Sequence, residues 1–256
     1  MSSTHPAMTP FHIGALELKN RLAVAPMTRV SAAPDGTPTD EMAAYYGEFA
    51  RGGFGIVLTE GLYTDTSHSQ GYLNQAGIAT DEHVEGWRRV VDAVHAAGTP
   101  IVAQLMHAGA LSQGNSHGVE TVGPSAVAPR GEMLTEYGGS GRWPTPRALT
   151  AADIDAVVEG YVAAATRATS AGFDGVEVHA ANGYLLDQFL TDYTNTRDDE
   201  YGGVVANRIR LTANVIGASK GPKITGFTYK NKTNSRKRWG HRQHYATIEI
   251  TGIKKG

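Results

Sequence analysis

The sequence predicts an α/β protein made of four βα units of a TIM-type (β/α)8 barrel, a half barrel, followed by a short basic β-hairpin tail. Short apolar runs alternate with stretches of helical period as far as residue 219. Polar side chains gather where the runs end, which in such folds is the ligand-binding end. Beyond residue 219 the helical period stops and basic residues take over.

The run from Arg21 to Pro26 ends at a proline and is the expected first strand. Asp35-Gly36-Thr37-Pro38 is turn chemistry, and Thr39 opens a helix that stops at Gly52-Gly53. The second strand is Phe54 to Glu60. A helix from Asp81 then aligns Val84, Trp87, Val90, Val91 and Val94 on one face and closes at Gly98. Pro100 to Leu105 is the third strand. The Gly/Pro/Ser-rich loop from Met106 to Ala148 is too long to be only a connector and reads as a binding loop. Within it, Gly138-Gly139-Ser140-Gly141 is a flexible segment rather than a phosphate cradle, since no strand precedes it. Thr150 to Asp153 caps a helix running to about Gly172, and Phe173 to Val178 is the fourth strand. A last helix is expected from about Val204 to Ala218. A closed barrel needs eight such units, so the expectation is half of one, with exposed strand edges that a homodimer would cover.

The stretch from His179 to Leu190 follows the fourth strand. Its His179, Asn182 and Tyr184 could donate hydrogen bonds and a proton to a ligand oxygen or carbon. It could equally be a helix start capped by Asn182, with His179 and Tyr184 merely packing. Residue types alone leave both readings open.

Composition narrows the chemistry. The 256 residues are 41% hydrophobic and contain 31 glycines, which suits a loop-rich α/β chain able to bury a large core. With no cysteine, disulfides, Cys-ligated zinc, iron–sulfur clusters and thiol nucleophiles are excluded. His107 has no second ligand at a matching spacing and is not read as a metal ligand. No apolar run reaches membrane-span length and no signal peptide is evident at Met1 to Pro6, so the expected location is cytoplasmic. The net charge of −2 hides a contrast: residues 220–256 hold ten Lys or Arg against one acid, while the preceding residues hold 13 basic and 24 acidic side chains. Two modules with different partners are expected, 1–219 and 220–256, the second suited to nucleic acid.

Four ordered motifs then resemble one family: Asn20-Arg21 with Ala25-Pro26-Met27-Thr28-Arg29; Gln104-Leu105-Met106-His107-Ala108-Gly109; His179 to Leu190; and Asn195-Thr196-Arg197-Asp198-Asp199-Glu200-Tyr201-Gly202-Gly203. Residues about 10–217 resemble the amino-terminal half of the Old Yellow Enzyme family, FMN-dependent NAD(P)H oxidoreductases that include ene-reductases. The resemblance implies that Pro26, Met27 and Thr28 line the flavin and that Gly61 and Gln104 contact its ring. It implies that His179 and Asn182 hold the carbonyl oxygen of an enone or enal, and that Tyr184 protonates the α-carbon. Nothing after Gly217 matches the arginine of the family's fifth strand or its phosphate-holding loops. The expectation is therefore such an enzyme or an incomplete, inactive derivative.

The tail from Lys220 to Gly256 resembles the carboxyl-terminal part of bacterial large-ribosomal-subunit protein twenty-one, chiefly through Gly240-His241-Arg242-Gln243 after a basic run. That resemblance implies contact with ribosomal RNA through Lys230, Lys232, Arg236, Lys237, Arg238, His241 and Arg242, with Trp239 and Tyr245 stacking on bases. The alternative function is thus a ribosome-associated fusion, natural or engineered, whose active part is the tail. Its strands are expected to be Ile224 to Tyr229 and Tyr245 to Ile250 around a charged loop.

Overall fold

A computed structural model of the chain describes residues 5–118 and 120–217 fully, and 223–230, 235–242 and 247–248 by their backbone. The chain opens with a hairpin that the sequence reading missed, β1 (Phe11–Ile13) against β2 (Leu16–Leu18). Its three-residue strands are too short to show alternation. Gly14 makes the turn between them at φ +59°, a left-handed backbone that favours glycine. The hairpin sets Leu18 against Ile56 and Val102.

Four parallel strands follow as neighbours in the sheet: β3 (Ala23–Val24), β4 (Ile56–Tyr63), β5 (Ile101–Met106) and, after the pair described below, β8 (Gly175–Val178). Each is joined to the next by a crossover helix: α1 (Asp40–Arg51), α2 (Asp81–His95) and α3 (Ala151–Ala171). Local chemistry sets their ends. Thr39 and Thr80 accept the amides of Met42 and His83, and Thr150 forms a reciprocal capping box with Asp153. Gly172 ends α3 at φ +95°, reversing the chain into β8.

The core lies between sheet and helices. Trp87 of α2 is fully buried, touches Tyr46 of α1 and Phe173, and donates its indole N–H to the Gly77 carbonyl at 2.8 Å. On the other side of the sheet, Ile56, Leu58 and Val102 pack with the hairpin and line the pocket described below.

The long loop after β5 is folded rather than free. It pairs β6 (Val122–Gly123) with β7 (Arg147–Ala148) in parallel. Arg197 ties it to the chain after β8 by donating to the Pro124 carbonyl at 2.8 Å and the Leu149 carbonyl at 2.6 Å.

Three expectations need correction. Asn182 does not cap the helix after β8: α4 (Leu185–Leu190) has Tyr184 at its cap position, and Asn182 sits in a left-handed conformation at φ +59°. The last helix is two pieces, α5 (Val205–Arg208) and α6 (Arg210–Gly217), parted at Ile209. In the tail, β9 (Lys223–Lys230) pairs antiparallel with β10 (Ser235–Arg242), so the basic stretch is a strand rather than a loop. Charge was the wrong cue there, because strand pairing is made by backbone amides and carbonyls, whatever the side chains. Tyr245 lies outside the described residues. Nearby, β11 (Thr247–Ile248) joins the main sheet, running parallel beside β8 with Thr247 opposite Val176. That edge of β8 is therefore paired rather than open.

Candidate functional site

A pocket of about 610 Å³ runs along the inner face of the four strands, from Ile13, Ala23, Ile56 and Val102 near their starts to the segments at their carboxyl ends. Ala25, Pro26 and Thr28 enter it from the segment after β3, Gly61 from β4, Gln104 and Met106 from β5, and Glu177 from β8. His179, Ala181, Asn182 and Tyr184 close it from the turn before α4. Residues far apart in sequence converge here because parallel strands end on one side of the sheet.

Of the residues singled out in the sequence, Pro26, Thr28, Gly61, Gln104, His179, Asn182 and Tyr184 all line this pocket. Met27 does not; its side chain is exposed. The basic residues from Arg236 to Arg242 lie along β10, with Arg236 opposite Tyr229 and His241 opposite Ile224, and Lys230 ends β9. Lys232 lies outside the described residues.

Gln104 and Glu177 are register partners across the β5–β8 pair, and the Gln104 amide donates to the Glu177 carboxylate at 2.6 Å. Burial raises the Glu177 carboxyl above its ordinary value, and the Gln104 hydrogen bond opposes this. The sequence reading passed over Glu177, although an acid within Gly175-Val176-Glu177-Val178 is the visible signal of a buried charge. At Gly61 a side chain is excluded: a Cβ would stand 2.7 Å from the Met106 sulfur and 3.4 Å from the Gln104 side-chain oxygen.

In the same pocket the rings of His179 and Tyr184 meet edge to face at 5.0 Å. Burial lowers the His179 imidazole below its ordinary value, with Asp187 partly opposing, so the ring is neutral at pH 7 and donates through one nitrogen. The Tyr184 hydroxyl is hydrogen-bonded to that of Tyr72, a residue the sequence reading did not select. Burial pushes the Tyr72 phenol well up, with Tyr184 adding to the effect, so Tyr72 keeps its proton. Tyr184 belongs to a cluster in which Tyr72, Met106 and Ala108 are buried and Val30 and Tyr137 pack around them.

His107 is buried behind this site. Its Nδ1 accepts the Gly109 amide at 3.1 Å, and its Nε2 lies 3.9 Å from Asp65. No helix among the described residues is long and apolar enough to cross a membrane.

The sequence pattern of the NADH:flavin oxidoreductase / NADH oxidase family matches residues 7–222. A protein of Leishmania infantum described as a probable flavin mononucleotide-dependent alkene reductase is 40% identical over 217 residues, covering 82% of this chain and 59% of that protein. The Old Yellow Enzyme homologue of Zymomonas mobilis superposes with a TM-score of 0.77 at 42% identity, over 83% of this chain and 59% of the other. Morphinone reductase in complex with tetrahydroNAD superposes at 0.75 with 40% identity and the same coverage. The similarity is that of TIM-barrel α/β proteins. The chain thus spans less than two thirds of the length of these relatives. On the extent of the pattern and the level of identity, the chain belongs to the NADH:flavin oxidoreductase / NADH oxidase family, that of the Old Yellow Enzymes.

Proposed function

We propose that this chain binds FMN and reduces the activated double bond of an enone or enal with NAD(P)H as reductant. The observation that carries the reading is the meeting, in one pocket, of Thr28, Gly61 and Gln104 with His179, Asn182 and Tyr184. The pocket fits a flat heteroaromatic ring. Its volume is within the usual range for a bound cofactor, and Ala23, Ala25, Ile56, Leu58 and Val102 give it apolar walls. Gly61 keeps the floor free of a side chain, and Gln104 and Glu177 give one edge donors and acceptors. No Lys or Arg is among the described residues that line it, so ring contacts carry the binding assigned to those residues.

FMN, when bound, supplies the hydride that reaches the β-carbon. The chain does the rest. Pro26 and Thr28, which line the pocket, are assigned to the flavin wall, and the exposed Met27 is not. Gly61 and Gln104 are assigned to the ring itself. His179 and Asn182 donate hydrogen bonds to the substrate carbonyl oxygen and so draw charge from the double bond. Tyr184 gives its proton to the α-carbon, and Tyr72 holds the Tyr184 hydroxyl in place.

The direct test is the absorbance spectrum of the purified chain, before and after FMN addition and gel filtration. A retained flavin band, bleached by NAD(P)H and restored by 2-cyclohexenone, supports the reading. A colourless protein after FMN loading overturns it.

A second reading rests on the ribbon of β9 and β10, which strings Arg236, Lys237, Arg238, His241 and Arg242 along one strand. We infer that this ribbon serves as a contact for structured RNA, carried on a tail whose Thr247–Ile248 strand is part of the main sheet. Salt-sensitive RNA binding that disappears on deleting 220–256 supports it, and binding unchanged by that deletion sinks it.

A further inference from the structure

Behind the segment that enters the pocket after β3 stands a second buried acid, Glu60. The pairing of β4 with β5 slips between Leu58 and Gly61, a bulge that turns Glu60 away from the pocket and toward α1. Its side chain is 1% exposed. The Glu60 amide donates to the Tyr46 hydroxyl at 3.0 Å, and one carboxyl oxygen lies 3.3 Å from that same hydroxyl. The other oxygen accepts the Arg29 amide at 3.2 Å, and the Val30 amide also faces the carboxyl.

Val30 stands at φ +49°, a left-handed conformation that is an outlier for a β-branched side chain. Such a conformation persists only where its surroundings hold it. On one side its amide faces Glu60; on the other its side chain packs into the cluster of Tyr72, Met106 and Tyr184. A two-residue step back along the chain reaches Thr28 in the pocket wall.

We propose that Glu60 is a positioning residue: through the Arg29 and Val30 amides it latches the left-handed turn at Val30, and with it the Pro26–Thr28 wall and the packing behind Tyr184. The latch is local geometry. Its consequence for flavin rests on the proposed function above.

The latch responds to pH. Burial raises the Glu60 carboxyl to about 7, with the Arg29 amide, the Tyr46 hydroxyl, the Val30 amide and the Arg29 charge opposing. The groups around it are Arg29 from the segment after β3, stacked on the Tyr45 ring at 4.7 Å, and Glu41, Tyr45 and Tyr46 from α1. Lifting the segment would hydrate the carboxyl and return it toward its ordinary value. A raised value in the closed state means that closure is fully favoured below the ordinary carboxylate range. That advantage is lost as pH rises through about 7.

The test compares the full-length chain with Glu60→Gln and Glu60→Leu by amide hydrogen exchange at residues 28–30, normalised to β5 amides, and by FMN titration from pH 5.5 to 8.5. Glutamine keeps an acceptor for the Arg29 amide without a charge, so Glu60→Gln should match the wild type at low pH and lose the pH dependence. Glu60→Leu should lose protection at 28–30 by about tenfold at pH 6, the scale of a lost buried acceptor. In the wild type, protection and FMN affinity should fall together as pH rises toward about 7 and level off above it. A wild-type protection profile that is flat, or identical in Glu60→Gln, overturns the latch, even if Glu60→Leu fails to fold. Should the wild type bind no FMN at any pH, the proposed function fails, while exchange at 28–30 still decides the latch.

Discussion

The side-chain amide of Gln104 donates to the Glu177 carboxylate at 2.6 Å, between residues that are register partners on adjacent strands. With its nitrogen committed, Gln104 presents its oxygen toward Gly61 and the pocket. A buried acid thus fixes which end of the amide a ligand meets.

Glu177 should make stability depend on pH. Burial raises its carboxyl, so the stability it contributes is full below the ordinary glutamate range and declines as pH rises through the raised value. Glu177→Gln removes that decline. Urea denaturation at pH 5 and pH 8.5 should show a smaller drop in midpoint for the variant than for the wild type. Equal drops would mean that the carboxyl is hydrated in solution.

Tyr184 and Tyr72 should separate in kinetics. If Tyr184 is the proton donor, Tyr184→Phe lowers the rate of enone reduction by roughly a hundredfold or more, while reduction of the flavin by NAD(P)H is unchanged. Tyr72→Phe leaves the donor in place but removes its hydrogen-bond partner, and a loss of about tenfold is expected. Stopped-flow measurement of the two half-reactions resolves them. Equal losses in both half-reactions of Tyr184→Phe would point to a disturbed pocket instead.

The elements legible in the sequence were those whose signals are local. Thr150 and Asp153 are three residues apart, Gly172 marks the end of α3, and the valines with Trp87 mark the face of α2. Of the residues that line the pocket, His179, Asn182 and Tyr184 were legible as polar groups following a strand, whereas Pro26, Thr28, Gly61 and Gln104 came from the family resemblance. The acids were not: Glu60 is re-aimed by a bulge and Glu177 by its pairing with Gln104, and neither relation can be seen in one strand alone. Val30 carried no signal, since left-handed backbone is expected of glycine or asparagine. Likewise no Gly or Pro announces the break at Ile209.

Gly61 should not tolerate a methyl group. A Cβ there meets the Met106 sulfur at 2.7 Å and the Met106 Cβ at 3.2 Å, and Met106 is fully buried. Met106 would have to shift within a packed cluster, at a cost of about 1–3 kcal/mol. Gly61→Ala should therefore lower the urea midpoint and weaken FMN binding together. A variant with wild-type stability and affinity would show that the pocket floor is looser than this packing implies.

His179 should act as a neutral donor. Burial lowers its imidazole, so its contribution to stability is present at neutral pH and is lost only as pH falls through the ordinary histidine value and below. Binding of a cyclic enone to the oxidised protein should then be constant from pH 7 to 8.5. It should weaken about tenfold in His179→Ala or Asn182→Ala, the scale of one buried hydrogen bond with its desolvation. Enone affinity that rises toward acid pH would instead mark an imidazolium as the binding form.

The strand Thr247–Ile248 covers the outer edge of β8, opposite Val176 and Glu177. An uncovered parallel strand presents a row of unpaired amides and carbonyls to other chains. Deleting residues 220–256 should therefore open that edge and drive self-association of the remaining chain, read by sedimentation velocity across a concentration series. Restoring residues 243–256 alone through a flexible linker should reverse it, because the edge needs β11 and not the β9–β10 ribbon. If the truncated chain stays monomeric at high concentration, the edge of β8 is protected by its own neighbours and β11 adds little to the sheet.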